Sequence, residues 1–269
     1  MSGQVSYLDD AAANTQGGEW PDTHGQSGSQ AKITMHVDII SPFGYLAFYM
    51  LNNSPTFANV QRTYIPILLG GLHKACGNLA PILVKNKKEW INKERERWAE
   101  IFKIPIRGAP PPGFPISTVN AQRALTALST EVDTAVLERA IGVFWAALWC
   151  PDAEILKDAK GRDGSGEFDV KSLETLRGLL AGVEGVGEGL AGKIVGRVGE
   201  KDVKDMLMGN TTRAFESGAF GMPWFECTDG EGRTEGFWGF DHLGQVVRFL
   251  GLDGGADGER SGQMLKAML

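Results

Sequence analysis

Val37 to Leu51 reads VDIISPFGYLAFYML, and the fold turns on what happens at Ser41-Pro42. Upstream, Lys32 to Ile40 mixes β-branched and apolar residues with a polar partner at every second or third place, the pattern of a strand near the centre of a sheet. Downstream, Leu46, Ala47, Met50 and Leu51 recur at the spacing of one buried helix face. Pro42 suits the first helical position, where a missing N–H costs nothing and the fixed φ favours a helical start. Ser41 then becomes the N-cap, with its hydroxyl beside the free amides and the positive dipole end of the helix. Such a place favours an anion, a ligand's thiolate included, while a serine that only caps the helix reads the same way locally.

Outward from this junction, Val60 to Leu69 reads as a second strand ending at Gly70-Gly71, with Pro66 marking an edge or a strand end. A long helical block follows. Within Lys85 to Phe102, the residues Trp90, Ile91, Glu94, Trp98 and Ile101 share one expected face. Pro105 and Pro110 to Pro112 force an extended crossing, and helices are expected over Thr118–Leu128, Thr134–Cys150, Lys171–Leu180 and Asp202–Phe215. Gly221 to Cys227 turns into a strand, Thr228 to Arg233 is a hairpin signal, Thr234 to Trp238 returns, and Asp241 to Leu250 is the last helix. Removal of the helical block leaves a β-α-β…α-β-β-α unit, the thioredoxin arrangement. The expected fold is therefore α/β, a thioredoxin-like domain over 31–70 and 201–252 with an all-helical insertion over 71–200, an arrangement that resembles the DsbA-like family. The segments 1–30 and 253–269 are too polar to bury a core and are expected to be flexible tails.

The chain has 269 residues and a net charge of -6, which argues against a polyanion as the default partner. Cys76, Cys150 and Cys227 are widely spaced, without a CxxC pair, so free thiols in a reducing compartment are expected. No apolar run is long enough to cross a bilayer. The expected location is the cytoplasm; the terminal Ala267-Met268-Leu269 only weakly resembles a peroxisomal signal, and the peroxisome and the mitochondrion stay open as alternatives.

Four motifs, Ser41 to Ala47 (SPFGYLA), Gly77-Asn78, Gly218 to Pro223 (GAFGMP) and Trp238 to Asp241 (WGFD), stand in order around the helical block. Together they resemble the kappa-class glutathione transferases and the related 2-hydroxychromene-2-carboxylate isomerases, over about Ile33 to Leu250. The resemblance implies glutathione as co-substrate and a homodimer. It implies that Ser41 is the catalytic serine, hydrogen-bonded to the glutathione sulfur, and that Pro223 is a cis-proline preceded by Met222, whose peptide groups meet the cysteinyl part. It likewise gives Asn78 and Lys87 contacts to glutathione and Asp241 the γ-glutamyl amine. Phe43, Tyr45 and Trp90 are the expected walls of a pocket for a small hydrophobic electrophile.

The sequence departs from the family at Phe240, where a serine is usual, and at Gly44-Tyr45, where Ser-Trp is common; Tyr45 followed by Leu46-Ala47 is closer to the isomerases. The expected activity is that of a kappa-type transferase, with a glutathione-dependent isomerase or a non-catalytic glutathione-binding protein as alternatives. A thiol–disulfide oxidoreductase is disfavoured, because Ser41-Pro42-Phe43-Gly44 stands where CxxC would be. Leu179 to Ile194 resembles a helix-hairpin-helix element for DNA phosphates, but its turn is flanked by Glu184 and Glu188. The same glycines do not make a dinucleotide fingerprint, since no strand precedes them. His36, His73 and His242 are too scattered for a metal, and Lys160 and Arg162 spoil a calcium loop over Lys157–Asp169, so no metal is expected.

Overall fold

The computed structural model describes residues 30–157, 159, 161–162 and 166–252. The two expected tails therefore lie outside the described residues, save Gln30, whose side-chain amide donates to the Asn59 carbonyl. Part of the rejected calcium loop lies outside them as well.

Strand β1, Lys32–Val37, occupies an interior place in the sheet. It pairs in parallel with β2, Gln61–Pro66, and antiparallel with β3, Trp224–Thr228, which pairs antiparallel with β4, Thr234–Trp238. The order β2-β1-β3-β4 leaves β2 and β4 at the edges. Ile33, Met35 and Val37 are buried on one face, as the alternation requires, and His36 is buried on the other, its imidazole bonded to Glu226 of β3 at 2.6 Å.

β1 is shorter than the sequence implies. At Asp38 the chain turns: the Asp38 carbonyl accepts from the Ser41 N–H at 3.0 Å and the Asp38 carboxylate from the Ile40 N–H at 3.2 Å. Helix α1, Pro42–Asn53, starts at once. Its expected face is buried, and so are Tyr45 and Phe48, because the helix is enclosed by its neighbours instead of lying at the surface.

β2 ends at Pro66, on an edge, for both of the reasons a proline gives. Gly70 and Gly71 do not stop a strand; they lie inside a short helix α2, Leu69–Cys76. A Cβ at Gly71 would sit 3.4 Å from Cγ2 of Thr211, so glycine lets α2 approach the helix that carries Thr211. Gly77, at φ 68°, ends α2.

Helix α3, Lys87–Phe102, follows, but its inner face is rotated from the expected one. Arg95 and Ala99 are buried, whereas Trp90 and Ile101 are exposed. Arg95 can turn inward because its guanidinium donates to the carbonyls of Arg107 and Gly108 and lies 5.6 Å from the Trp149 ring centroid.

Helices α4, Val119–Leu128, and α5, Thr134–Trp149, agree with expectation to within a residue. Helices α6, Leu173–Ala181, and α7, Gly187–Arg197, make the hairpin compared above with a DNA-binding element. A Cβ at Gly185 would meet Val136 of α5 at 2.9 Å, so this turn is packed inward. Lys193 and Arg197 are engaged by Glu131, Glu200 and Asp202. α8, Lys201–Glu216, returns to the sheet and α9, Leu243–Phe249, closes the described chain.

Candidate active site

A cleft of about 920 Å³ opens at the end of β1. Its walls come from the start of α1, from α2 and the residues after it, from the first two turns of α3, from residues 114–119 and from the 220–222 turn. Ser41 stands in one wall. It is 5% exposed, its backbone is extended, and its Oγ accepts the Gly44 N–H at 3.0 Å. A hydroxyl has one proton and two lone pairs. The cap occupies a lone pair and leaves the O–H free to donate, beside the helix amides that favour an anion.

Behind Ser41 lies a buried polar knot. The Gln122 amide donates to the carbonyls of Val37 at 2.6 Å and Ile67 at 2.8 Å, and its Oε1 accepts from the Ile39 N–H. The Gln122 side chain thus closes the open ends of β1 and β2, where the sheet ladder stops. Asp38 accepts from Ile40, Leu69 and Thr118. Burial pushes its carboxyl up from the ordinary range, and these hydrogen bonds oppose that.

Met222 and Pro223 are joined by a cis peptide bond, as expected for Pro223, and Met222 lines the cleft. A second cis bond joins Phe114 to Pro115, also at the cleft. Asn78 lies in the wall, with its amide donating to the Phe220 carbonyl at 2.9 Å and its Oδ1 accepting the Leu79 N–H at 2.9 Å. Those bonds fasten the end of α2 to the turn before Met222 and leave one amide proton. Lys87 is exposed at the start of α3 and lines the cleft. His73 lines it too, its imidazole held below the ordinary range by burial.

Of the three residues expected to wall the second pocket, the structure brings only Phe43 to the cleft. Tyr45 points into the core, where its hydroxyl donates to the Pro105 carbonyl at 2.9 Å and its ring packs on Tyr49 and Trp145. Trp90 is 56% exposed, and Ile91 takes the place expected of it. Trp149 contributes instead, its indole N–H donating to the Ile39 carbonyl at 2.9 Å. Phe114 and Ile116 complete this apolar side.

Asp241 does not line the cleft; it is exposed beside His242, three residues past Trp238, which does. Phe240 is buried edge-on against Trp98 and Phe102, so the residue in the usual serine place has become part of the core. Sequence reading missed Asp38, Gln122 and Phe114-Pro115. A buried acid at a strand end beside the Ser-Pro junction was the available signal for the first; the proline run was read only as a connector.

Residues 32–163 match the family model of the DSBA-like thioredoxin domain. The chain has the DsbA-like thioredoxin fold. Relatives of this DsbA-like chain include glutathione S-transferase kappa 1 of Caenorhabditis elegans, 26% identical over 81% of this chain and 90% of the relative. The protein of that name from Rattus norvegicus is 27% identical over the same shares. A 2-hydroxychromene-2-carboxylate isomerase from Pseudomonas sp. (strain C18) is 28% identical over 46% of this chain and 58% of its own. Among solved structures, a 2-hydroxychromene-2-carboxylate isomerase superposes with a TM-score of 0.61 at 21% identity, covering 82% of this chain and 94% of the other, a likeness of fold. Among the described residues no group of His, Cys, Asp and Glu could hold a metal ion, and no helix is long and apolar enough to cross a membrane.

Proposed function

We propose that the DsbA-like chain is a glutathione transferase of the kappa type. The observation that supports this most is the free Ser41 O–H at the N-terminus of α1, in the wall of an apolar cleft shared with Met222, Asn78 and Lys87. Ser41 donates its proton as a hydrogen bond to the glutathione sulfur, and the α1 amides add their positive potential, so the thiol ionises near neutral pH. The thiolate attacks a small hydrophobic electrophile held against Phe43, Phe114 and Ile116. A carbon–sulfur bond forms, the leaving group departs with its electron pair, and the thiol proton passes to solvent. Ser41 forms no covalent bond, which fits a serine to which, among the described residues, no histidine is bonded.

Relatives named for this activity are matched over nine-tenths of their length, whereas the isomerase relative is matched over little more than half. The isomerase reading shares the thiolate but returns glutathione unchanged, so a mass balance with a candidate electrophile separates the two. Calorimetric titration with glutathione, with the ultraviolet thiolate absorbance followed in parallel, tests the common step. Binding in the millimolar range with a thiolate signal is expected; the absence of both at saturating millimolar glutathione defeats the proposal. Assembly as a homodimer belongs to the same reading, and light scattering that finds only monomer at micromolar concentration would remove it.

A further inference from the structure

Asp38 is 1% exposed, and the groups reaching its carboxylate are a hydroxyl and two main-chain N–H groups. Oδ1 accepts from Ile40 N at 3.2 Å and from Thr118 Oγ1 at 2.7 Å; Oδ2 accepts from Leu69 N at 2.9 Å. A peptide N–H cannot reverse its role, so both oxygens must be acceptors, which suits a carboxylate and not an amide. Among the described residues no cation accompanies it; burial and these hydrogen bonds are what act on its charge. A buried acid without an ion pair is retained at a cost, so a specific task is to be expected.

Its three donors belong to three walls of the cleft. Ile40 is in the turn that carries Ser41. Leu69 is the first residue of α2, and the N-cap residue Leu68 has no side chain able to cap it. Thr118 opens α4 and ends the wall formed by Phe114 and Ile116. Asp38 is thus a cap supplied to α2 from outside the helix, and Asn78 rides just beyond the far end of α2.

We propose that Asp38 is a positioning residue that sets α2, and with it Asn78, against the turn bearing Ser41, so that the ends of a bound thiol peptide are held at a fixed separation. The binding part of this inference rests on the glutathione reading above. The bonds that orient Ser41 itself run to the Gly44 and Tyr45 N–H groups and the Asp38 main-chain carbonyl and do not use the carboxylate.

Asp38→Asn keeps the shape and replaces one acceptor by a donor, so either Leu69 or Ile40 and Thr118 must face an N–H₂. Loss of one charge-assisted hydrogen bond corresponds to a rise of about tenfold in KM for glutathione. The thiolate fraction of saturated enzyme and kcat are expected to stay within about twofold of wild type, since Ser41 keeps its bonds. Because Asp38 acts through Asn78, adding Asp38→Asn to Asn78→Ala is expected to raise KM little further.

Leu69→Pro deletes the same hydrogen bond from the helix side, at a first helical position where proline is tolerated, and is expected to reproduce the rise even if Asp38→Asn folds poorly. Amide hydrogen exchange read over residues 70–76 without glutathione is expected to accelerate in both variants while β1 stays protected. An unchanged KM in a folded variant, full additivity with Asn78→Ala, or unchanged exchange in α2 overturns the proposal. If wild type binds no glutathione, the functional reading falls by that result alone, and exchange in α2 still decides whether Asp38 positions the helix.

Discussion

Ser41→Ala removes two things at once, and the structure allows each to be sized. The first is the cap: the Gly44 N–H loses its acceptor at 3.0 Å. Loss of an N-cap costs about 1 kcal/mol, a fall in Tm of about 2–4 °C in a chain of this size. The second is the proposed donor to the glutathione sulfur. A hydrogen bond to an ionised partner contributes about 1.5–3 kcal/mol, and about 1.4 kcal/mol is one pKa unit, so the hydroxyl lowers the thiol by about 1–2 units. A free thiol titrates near 8.5 and is roughly 3% ionised at pH 7. On the proposed reading Ser41 is expected to bring the midpoint to about 7, where about half of the bound thiol is ionised at pH 7. The thiolate absorbance of protein saturated with glutathione is therefore expected to rise through about pH 7 in wild type and through about pH 8 to 8.5 in the alanine variant, where only the helix amides remain. Ser41→Thr keeps both cap and donor and is expected to titrate with wild type. Midpoints of wild type and Ser41→Ala within about 0.3 units of each other, both at saturation, would refute the donor role even if activity fell for other reasons.

Further outcomes follow from where the side chains lie. Phe43→Ala is expected to raise KM for an apolar electrophile several-fold, while Tyr45→Phe and Trp90→Ala leave it unchanged; Tyr45→Phe loses the bond to Pro105, which costs about 1 kcal/mol in urea unfolding. Gln122→Leu strands the carbonyl of Ile67 and the N–H of Ile39, while the Val37 carbonyl keeps the Ile67 N–H at 2.9 Å, and is expected to cost about 2 kcal/mol at the urea midpoint; a cost under about 0.5 kcal/mol would show that the strand ends do not need it. Ser41→Cys places a thiol at the capped N-terminus of α1, and is expected to form a mixed disulfide with oxidised glutathione that wild type does not form at this position, as read by mass spectrometry of the peptide.

The strand-turn-helix at Ser41 was legible because its signals are local: a proline suited to the first helical position, a hydroxyl placed to cap it, and apolar residues at helical spacing. The β3–β4 hairpin was legible for the same reason. What sequence reading misplaced depended on distant groups. Gly70-Gly71 read as a stop, and became helix because Asp38, 31 residues away, caps Leu69. The inner face of α3 was taken to contain Trp90 and Ile101, since hydrophobicity is the usual guide; Arg95 displaced them by finding carbonyls beyond the helix end. Tyr45 looked like a pocket wall because it sits beside Ser41 in sequence, yet successive helical residues point about 100° apart, and only Phe43 faces the cleft. The motif at Met222-Pro223 could be placed from its resemblance, whereas Asp38 carries no local mark of the three segments that converge on it.

The choice of serine at position 41 constrains what chemistry the fold can do. At the same helix start a cysteine would be a redox thiol, because the dipole and the capping amides stabilise its anion. A serine hydroxyl stays protonated at neutral pH, so those same amides have no resident anion to stabilise and act on whatever the cleft admits. The protein's own sulfurs do not replace it. Burial pushes the Cys227 thiol up, and burial together with Asp152 does the same for Cys150. Cys76 reaches the cleft from α2, but His73 and Leu79 stand where its CxxC partner would be; at the helix start the partner of position 41 is Gly44, whose Cβ would lie 3.1 Å from the Trp145 ring. A side chain there would press on a fully buried indole, which would have to give by a few tenths of an ångström for the Cβ alone. On the proposed reading, the sulfur held at this helix start is therefore the thiol of glutathione.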